Sequence, residues 1–247
     1  MTQKFNILKF ESLSSTNDKA KEIINTNKFS EFTVILTYEQ TKGKGQRENS
    51  WNSEADKNLT ISILTKPIFL KITSQFYLSK AISLGIIDYL NSKKNNFKIK
   101  WPNDIYYNDK KICGILIENS ISGSTIKNSI IGIGLNINQK YFPDYLPNAI
   151  SLSNILHKKY NLEEELNLLL SSIYNKYQLL KKQEFTEIDK LYHKYLYKIN
   201  KLANYKDVKS SFKGKIIGTL PEGKLIIETS KNEIRTYNFK EVEFLYS

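Results

Sequence analysis

Residues 97–118 read Phe-Lys-Ile-Lys-Trp-Pro-Asn-Asp-Ile-Tyr-Tyr-Asn-Asp-Lys-Lys-Ile-Cys-Gly-Ile-Leu-Ile-Glu. Three β-like runs fill the stretch, at 97–101, 105–107 and 112–118. Pro102, Asn103 and Asp104 between the first two are all turn formers, because proline presets φ and short polar side chains hydrogen-bond their own backbone. Asn108-Asp109 between the second and third signals a hairpin, since both residues tolerate the left-handed backbone that a tight turn needs. A chain that doubles back in this way brings Lys111 towards the turn at Asp104. A lysine on a strand end can hold an anionic oxygen as a point charge.

The rest of the chain is legible outward from that hairpin. Another β-like run follows at 126–137. Before it, residues 73–92 carry apolar side chains at helical spacing, and 59–64, 33–38 and 5–13 read as strands. Ser14-Ser15-Thr16-Asn17 opens a helix that runs to about residue 27. Between two strands lies a long polar connection, 39–58, with little apolar content apart from Trp51; such a connection inside a compact domain is a binding loop or disordered. Downstream, 162–180 is an amphipathic helix and 187–196 another. The character changes near Ala203: short β-like runs at 212–220, 225–229, 234–239 and 242–245 alternate with turns. The pattern predicts an α+β fold, a mixed β-sheet packed with helices over 1–202, and a small β-barrel over 203–247.

Composition bounds the function. With 40% hydrophobic residues in 247, the chain can bury a sizeable core. No apolar run is long enough to cross a bilayer, and Met1 is not followed by the basic-then-apolar layout of a secretory signal. One cysteine, Cys113, excludes an intramolecular disulfide and any multi-cysteine zinc site, which suits a reducing cytoplasm. The net charge of +12 raises the question of nucleic acid. Most of it is lysine scattered among Asn, Ile and Tyr, which reads as a solvated basic surface able to attract an acidic protein partner. His157 and His193 have no partner motif, and no Ser-His-Asp or Cys-His arrangement is present.

Three segments can carry chemistry. Ser15-Thr16-Asn17 has first of all the residue types of a helix N-cap, and a hydrogen-bonding cluster for a small polar ring is compatible with that. In Gln40-Thr41-Lys42-Gly43-Lys44-Gly45-Gln46-Arg47-Glu48-Asn49-Ser50-Trp51, two glycines let the backbone approach a phosphate while cations neutralise it. The spacing is not that of a P-loop. Trp51 ends the loop with an aromatic suited to covering a ligand. The third segment is the hairpin itself, where Asp104 is the counter-charge of Lys111 or a distant ligand to magnesium. It continues into Ile131-Gly132-Ile133-Gly134-Leu135-Asn136-Ile137-Asn138. There the alternate glycines mark either a close backbone crossing or a smooth wall for a ligand, with Asn136 offering an amide to a base.

In this order and spacing the segments resemble the biotin–protein ligase family. That family shows Ser-Thr-Asn, a Gln-Thr-x-Gly-Arg-Gly-Arg-x-Gly-Arg-x-Trp loop, Lys-Trp-Pro-Asn-Asp, Lys-x-x-Gly-Ile-Leu-x-Glu and Gly-x-Gly-x-Asn. The likeness spans nearly the whole chain. It implies a class II synthetase-like catalytic domain at 1–202 and an SH3-like barrel at 203–247. Within the loop, Lys44 replaces the first arginine and Gln46 stands where the family has the arginine linked to retaining the adenylate. Glu48 replaces a glycine and Asn49 an arginine. Ser15 comes too early for the helix-turn-helix domain of the family's larger members, so the expectation is a monofunctional enzyme without specific DNA binding.

The resemblance implies two half-reactions, formation of biotinyl-5′-adenylate from biotin and Mg-ATP and its capture by a lysine of a biotin carboxyl carrier protein. Ser15, Thr16, Asn17, Gln40, Lys111 and Gly114 would contact biotin. Gly43, Lys44, Gly45, Gln46, Arg47, Trp51, Asn103 and Asn136 would meet ATP or the adenylate, and Lys111, Asp104 and Arg47 would carry catalysis. The residues that hold Mg2+ are not identified. A soluble cytoplasmic monomer or homodimer is expected. The rivals are a lipoate–protein ligase, a basic nucleic-acid-binding module on the C-terminal barrel, and an inactive relative kept for binding.

Overall fold

The structure is a computed structural model that describes residues 5–26, 28–46 and 49–245. Its main sheet holds β1 (Asn6–Leu13), β2 (Thr33–Gln40), β3 (Leu59–Thr65), β4 (Phe97–Lys100), β5 (Asp104–Tyr107), β6 (Lys110–Ser122) and β7 (Thr125–Leu135), in the order β1-β2-β3-β7-β6-β5-β4. β1 and β2 are parallel, joined by the crossover helix α1 (Thr16–Asn25); the other neighbours are antiparallel. Asn108 turns the β5–β6 hairpin with a φ of 53°, as its Asn-Asp sequence predicts.

Alternation along the central strands separates two faces. Leu59, Ile61 and Ile63 of β3 and Ile131, Ile133 and Leu135 of β7 enter the large core beneath α2 (Phe76–Asn91). On the opposite face, Leu64 and Ile130 pack with Ala20 of α1 in a second, smaller core. Gly132 and Gly134 share the parity of Ile130, so α1 and these glycines lie on one side of the sheet. After the short α3 (Leu152–Leu156) come α4 (Leu162–Lys181) and α5 (Phe185–Tyr195). α4 packs on α2, and its start is sharply encoded: Asn161 caps Glu163 and Glu164, whose carboxylates suit the positive end of the helix.

The second sheet contains β8 (Leu202–Asp207), β9 (Ser211–Thr219), β10 (Leu225–Thr229), β11 (Ile234–Tyr237) and β12 (Val242–Leu245), all antiparallel, in the order β11-β10-β9-β8-β12. It docks onto the first through Trp101. The indole N–H donates to the Gly223 carbonyl at 2.8 Å, and the ring meets Phe239 edge-on at 5.3 Å.

The elements expected from periodicity form at nearly the expected positions. Two were not read. α3 has five residues, too few to show a helical period. β8 buries Tyr205 alone among its six residues and leaves Leu202 exposed, so too little of it is apolar in the right places to mark a strand.

Candidate active site

β6 carries one residue more than β5 opposite it. Ile105 pairs with Cys113 and Tyr106 with Lys111, leaving Ile112 as a bulge. Residues three apart on a regular strand face opposite sides, and the extra residue cancels that reversal. Ile112 and Cys113 are both fully buried in the core, while Lys111 and Gly114 both line a cavity on the α1 side. There the Lys111 ammonium stands 2.8 Å from Asp104 Oδ1. The contact is an ion pair at an angle that leaves the buried Oδ1 without a hydrogen bond. Lys111 is fixed from behind as well: its N–H donates to Asn148 and its carbonyl accepts from Ile150.

Glycines make the cavity floor. Gly114 and Gly134 are cross-strand partners, and Gly132 is opposite Leu116. The Trp51 ring lies across the first pair, so a Cβ on Gly134 would sit 2.1 Å from the indole and one on Gly114 would sit 3.0 Å from it. The Lys111 ammonium is 5.6 Å from the Trp51 ring centroid. Trp51 Nε1 is buried without a hydrogen-bond partner.

The polar loop folds back on itself. Trp51 N–H donates to the Gly43 carbonyl, Gly45 N–H to Asn49, and Lys44 bridges to Ser50. Gly43 is obligatory, since a Cβ there would meet the Trp51 carbonyl oxygen at 2.2 Å. Lys44 pairs with Asp18 of α1 at 2.7 Å, tying loop to helix. Arg47 and Glu48 lie outside the described residues.

Ser15, Thr16 and Asn17 are nearly fully buried at the start of α1. The cap reading of this run holds in the geometry. Ser15 caps the helix by accepting from Asp18 N–H, and all three residues line the cavity. Gln40 Oε1 accepts from Thr16 N–H at 2.8 Å, and Ser62 Oγ bonds Asn17 Oδ1 at 2.6 Å and Thr16 Oγ1 at 2.8 Å. Asn17 Nδ2 donates to Glu118 at 2.7 Å.

The structure therefore brings Ser15, Thr16, Asn17, Gln40, Lys44, Gly45, Gln46, Trp51, Asn103, Asp104, Lys111 and Gly114 to one cavity. Gly43 supports the loop from outside it. Asn136 is not brought there: it is buried, its Nδ2 donates to the Ile150 carbonyl, and it clasps the segment that holds Lys111. Asn103 does line the cavity, but its Nδ2 is spent on the Ile115 carbonyl. Neither histidine reaches the site. Burial holds His193 below the ordinary imidazole range, and its Nε2 accepts from Thr219 N–H. Burial also pushes the Cys113 thiol up, which makes it inert.

Sequence reasoning missed Thr60 and Ser62 of β3 and Lys240 of the second sheet. Thr60 and Lys240 line the cavity, and Ser62 braces the α1 residues that do. A signal existed for the first two: polar residues alternate with Leu59, Ile61 and Ile63, which places them on the other face of a buried strand. Lys240 has no motif around it.

The biotin/lipoate A/B protein ligase family model matches residues 9–136. The chain is 32% identical over 232 residues to the bifunctional ligase/repressor BirA of Bacillus subtilis, covering 92% of this chain and 70% of that one. It is 32% identical over 106 residues to a biotin–[acetyl-CoA-carboxylase] ligase of Paracoccus denitrificans, covering 42% and 43%. Among solved structures, the biotin protein ligase of Aquifex aeolicus in complex with biotin and ATP superposes with a TM-score of 0.82 at 25% identity, over 98% of this chain and 99% of that one. With the cationic loop, the glycine floor and Lys111 meeting at one cavity, these likenesses have a single reading: the chain belongs to the biotin/lipoate A/B protein ligase family.

Proposed function

We infer that the chain is a biotin–protein ligase. It joins biotin to ATP as biotinyl-5′-adenylate, then passes the biotinyl group to a lysine of a biotin carboxyl carrier protein. The observation that carries the reading is the convergence of Lys111, the 43–51 loop and the Ser15–Asn17 cluster on one glycine-floored cavity.

In the first step a biotin carboxylate oxygen bonds to the α-phosphorus of ATP and the bond to the β-phosphate oxygen breaks, releasing pyrophosphate. Lys111 is placed to draw the two anions together and to cancel charge on the bridging oxygen. In the second step the acceptor amine attacks the acyl carbon, AMP leaves, and a proton is lost from the amine. No protein nucleophile is required, which agrees with an inert Cys113. Thr16, Asn17 and Gln40 have their polar atoms engaged with one another and with Ser62, a pre-set array that a ureido ring would enter by exchanging hydrogen bonds. Gly45, Gln46 and Arg47 would close over the phosphates, and Trp51 would cover the ligand. Asp104 is the one carboxylate among the described residues lining the cavity, and its buried Oδ1 has no hydrogen bond. Mg2+ binds through one or two carboxylates plus substrate phosphates and would neutralise the triphosphate, although this oxygen is the one now paired with the Lys111 ammonium. Asp104 would hold it.

The five-stranded C-terminal sheet supports the reading of an SH3-like barrel over 203–247, with β8 starting one residue earlier. A carrier domain of acidic surface suits the +12 chain. Among the described residues no helix is long and apolar enough to cross a membrane, and a cytoplasmic location is proposed.

The test offers biotin and lipoate separately with ATP and follows pyrophosphate, then mass gain on a carrier domain. Lys111→Ala should lose about 2–4 kcal/mol of transition-state stabilisation with an unchanged circular dichroism spectrum. Pyrophosphate release at the unmodified rate by that variant refutes the role of Lys111, and release with lipoate alone refutes the choice of acid.

A further inference from the structure

The second sheet contributes to the cavity through one side chain, Lys240, on the turn between β11 and β12. Three cations among the described residues line the cavity. Lys44 is paired with Asp18 and Lys111 with Asp104. Lys240 has no carboxylate within ion-pair distance among the described residues. Its neighbour Glu241 is committed elsewhere, accepting from Asn238 N–H at 2.6 Å and from Asn238 Nδ2 at 3.0 Å.

The turn is held firmly. Glu241 N–H returns a bond to the Asn238 carbonyl, closing it from within. On its other side Phe239 packs on Trp101 at 5.3 Å and on Phe76 at 6.1 Å. Lys240 itself has a φ of 69°, a left-handed conformation that glycine or asparagine adopts at less cost. A lysine at such a position, on a backbone fixed between two anchors and bordering a cavity that already holds two other lysines, is an arrangement that stability alone does not favour. A polyanionic ligand supplies the compensating charge.

We propose that Lys240 is a binding residue for the β- and γ-phosphates of the nucleoside triphosphate, so that the C-terminal sheet takes part in adenylate formation by holding the pyrophosphate that leaves. The proposal rests on the ligase reading for the identity of the nucleotide. Lys111 comes from the main sheet, beside Asp104, and serves the reacting α-phosphate; Lys240 comes from the other sheet and serves the departing end. Loss of one charge-assisted phosphate contact corresponds to about a ten-fold loss of affinity or more.

The experiment uses the full chain, saturated with biotin, and calorimetric titration with α,β-methylene-ATP, which cannot release pyrophosphate, and with AMP. Lys240→Asn removes the charge yet suits the left-handed backbone. It should weaken the triphosphate analogue about ten-fold, leave AMP within two-fold, and melt no lower than the unmodified protein. Lys240→Arg should restore most of the lost affinity. Equal affinity for the analogue in Lys240→Asn overturns the assignment, as does equal loss for analogue and AMP, or an unmodified chain that does not bind the analogue. Slowed transfer to a carrier domain with nucleotide affinity unchanged also overturns it, placing Lys240 on the acceptor side. The ligase reading fails separately, by absence of biotin-dependent pyrophosphate release from the unmodified chain, and the titration decides Lys240 either way.

Discussion

Gly134 and Gly114 are hydrogen-bonding neighbours on adjacent strands, yet the indole above them presses on the two unequally. A methyl group on Gly134 would lie 2.1 Å from Trp51 Cε2, so the ring must leave its seat. On Gly114 the nearest atom is Trp51 Cζ3 at 3.0 Å, with the flexible end of Lys111 next at 3.3 Å, and both can give. Gly134→Ala should therefore cost adenylate formation at least ten-fold, on the scale of about 1.4 kcal/mol per decade, and Gly114→Ala clearly less. Initial rates of pyrophosphate release for the two variants check the order, and a reversed order would show that the indole does not rest where the structure puts it. The alternate glycines were legible from sequence, because only glycine lets a large ring approach the backbone of a strand. Which glycine bears the ring was not, because the seat of the indole is set by the way the loop ending at Trp51 folds back on Gly43, and no residue type announces it.

Helices α2 and α5 meet across a charge that the core would otherwise refuse. Lys80 is fully buried, ringed by Phe76, Tyr77 and Tyr192, and paired with Asp189 at 2.6 Å; Tyr77 donates to the same carboxylate at 2.7 Å. Burial pulls the Lys80 ammonium below its ordinary range, against the opposing pull of Asp189. Removing only the anion leaves the cation unpaired. Asp189→Asn should destabilise the protein by about 2–3 kcal/mol, at the low end for a broken buried pair because Asp189 is one-third exposed. Lys80→Met, which removes the charge and keeps the volume, should cost far less. Urea unfolding of both variants measures the difference, and equal losses would show that packing rather than charge sets the stability here. Periodicity revealed both helices, since Ile82, Ile86 and their neighbours repeat at the helical interval. It could not reveal the pair, because a lysine on an apolar stripe reads as a side chain reaching past the core to water.

At the scale of the molecule the two sheets share one short segment. Trp101 takes the Gly223 carbonyl and stacks edge-on with Phe239, while Asn103 and Asp104, two and three residues later, border the cavity. Trp101→Phe deletes the N–H and orphans a buried carbonyl, at a cost of about 1–2 kcal/mol. The loosening should appear first as faster amide exchange in β9 to β12 than in β3 and β7, followed by mass spectrometry, and uniform acceleration across both sheets would exclude a local hinge. The five letters Lys-Trp-Pro-Asn-Asp were readable as a turn and as part of a site. Their role in joining the halves was not, because the partner residues stand more than a hundred positions away and carry no pattern of their own. A chain built on such a shared segment has little freedom to let its halves drift apart over generations. Genetic suppressors of a weakened nucleotide site would be expected to surface in the far sheet, at Gly223 or Phe239, on the strength of the contact with Trp101 alone.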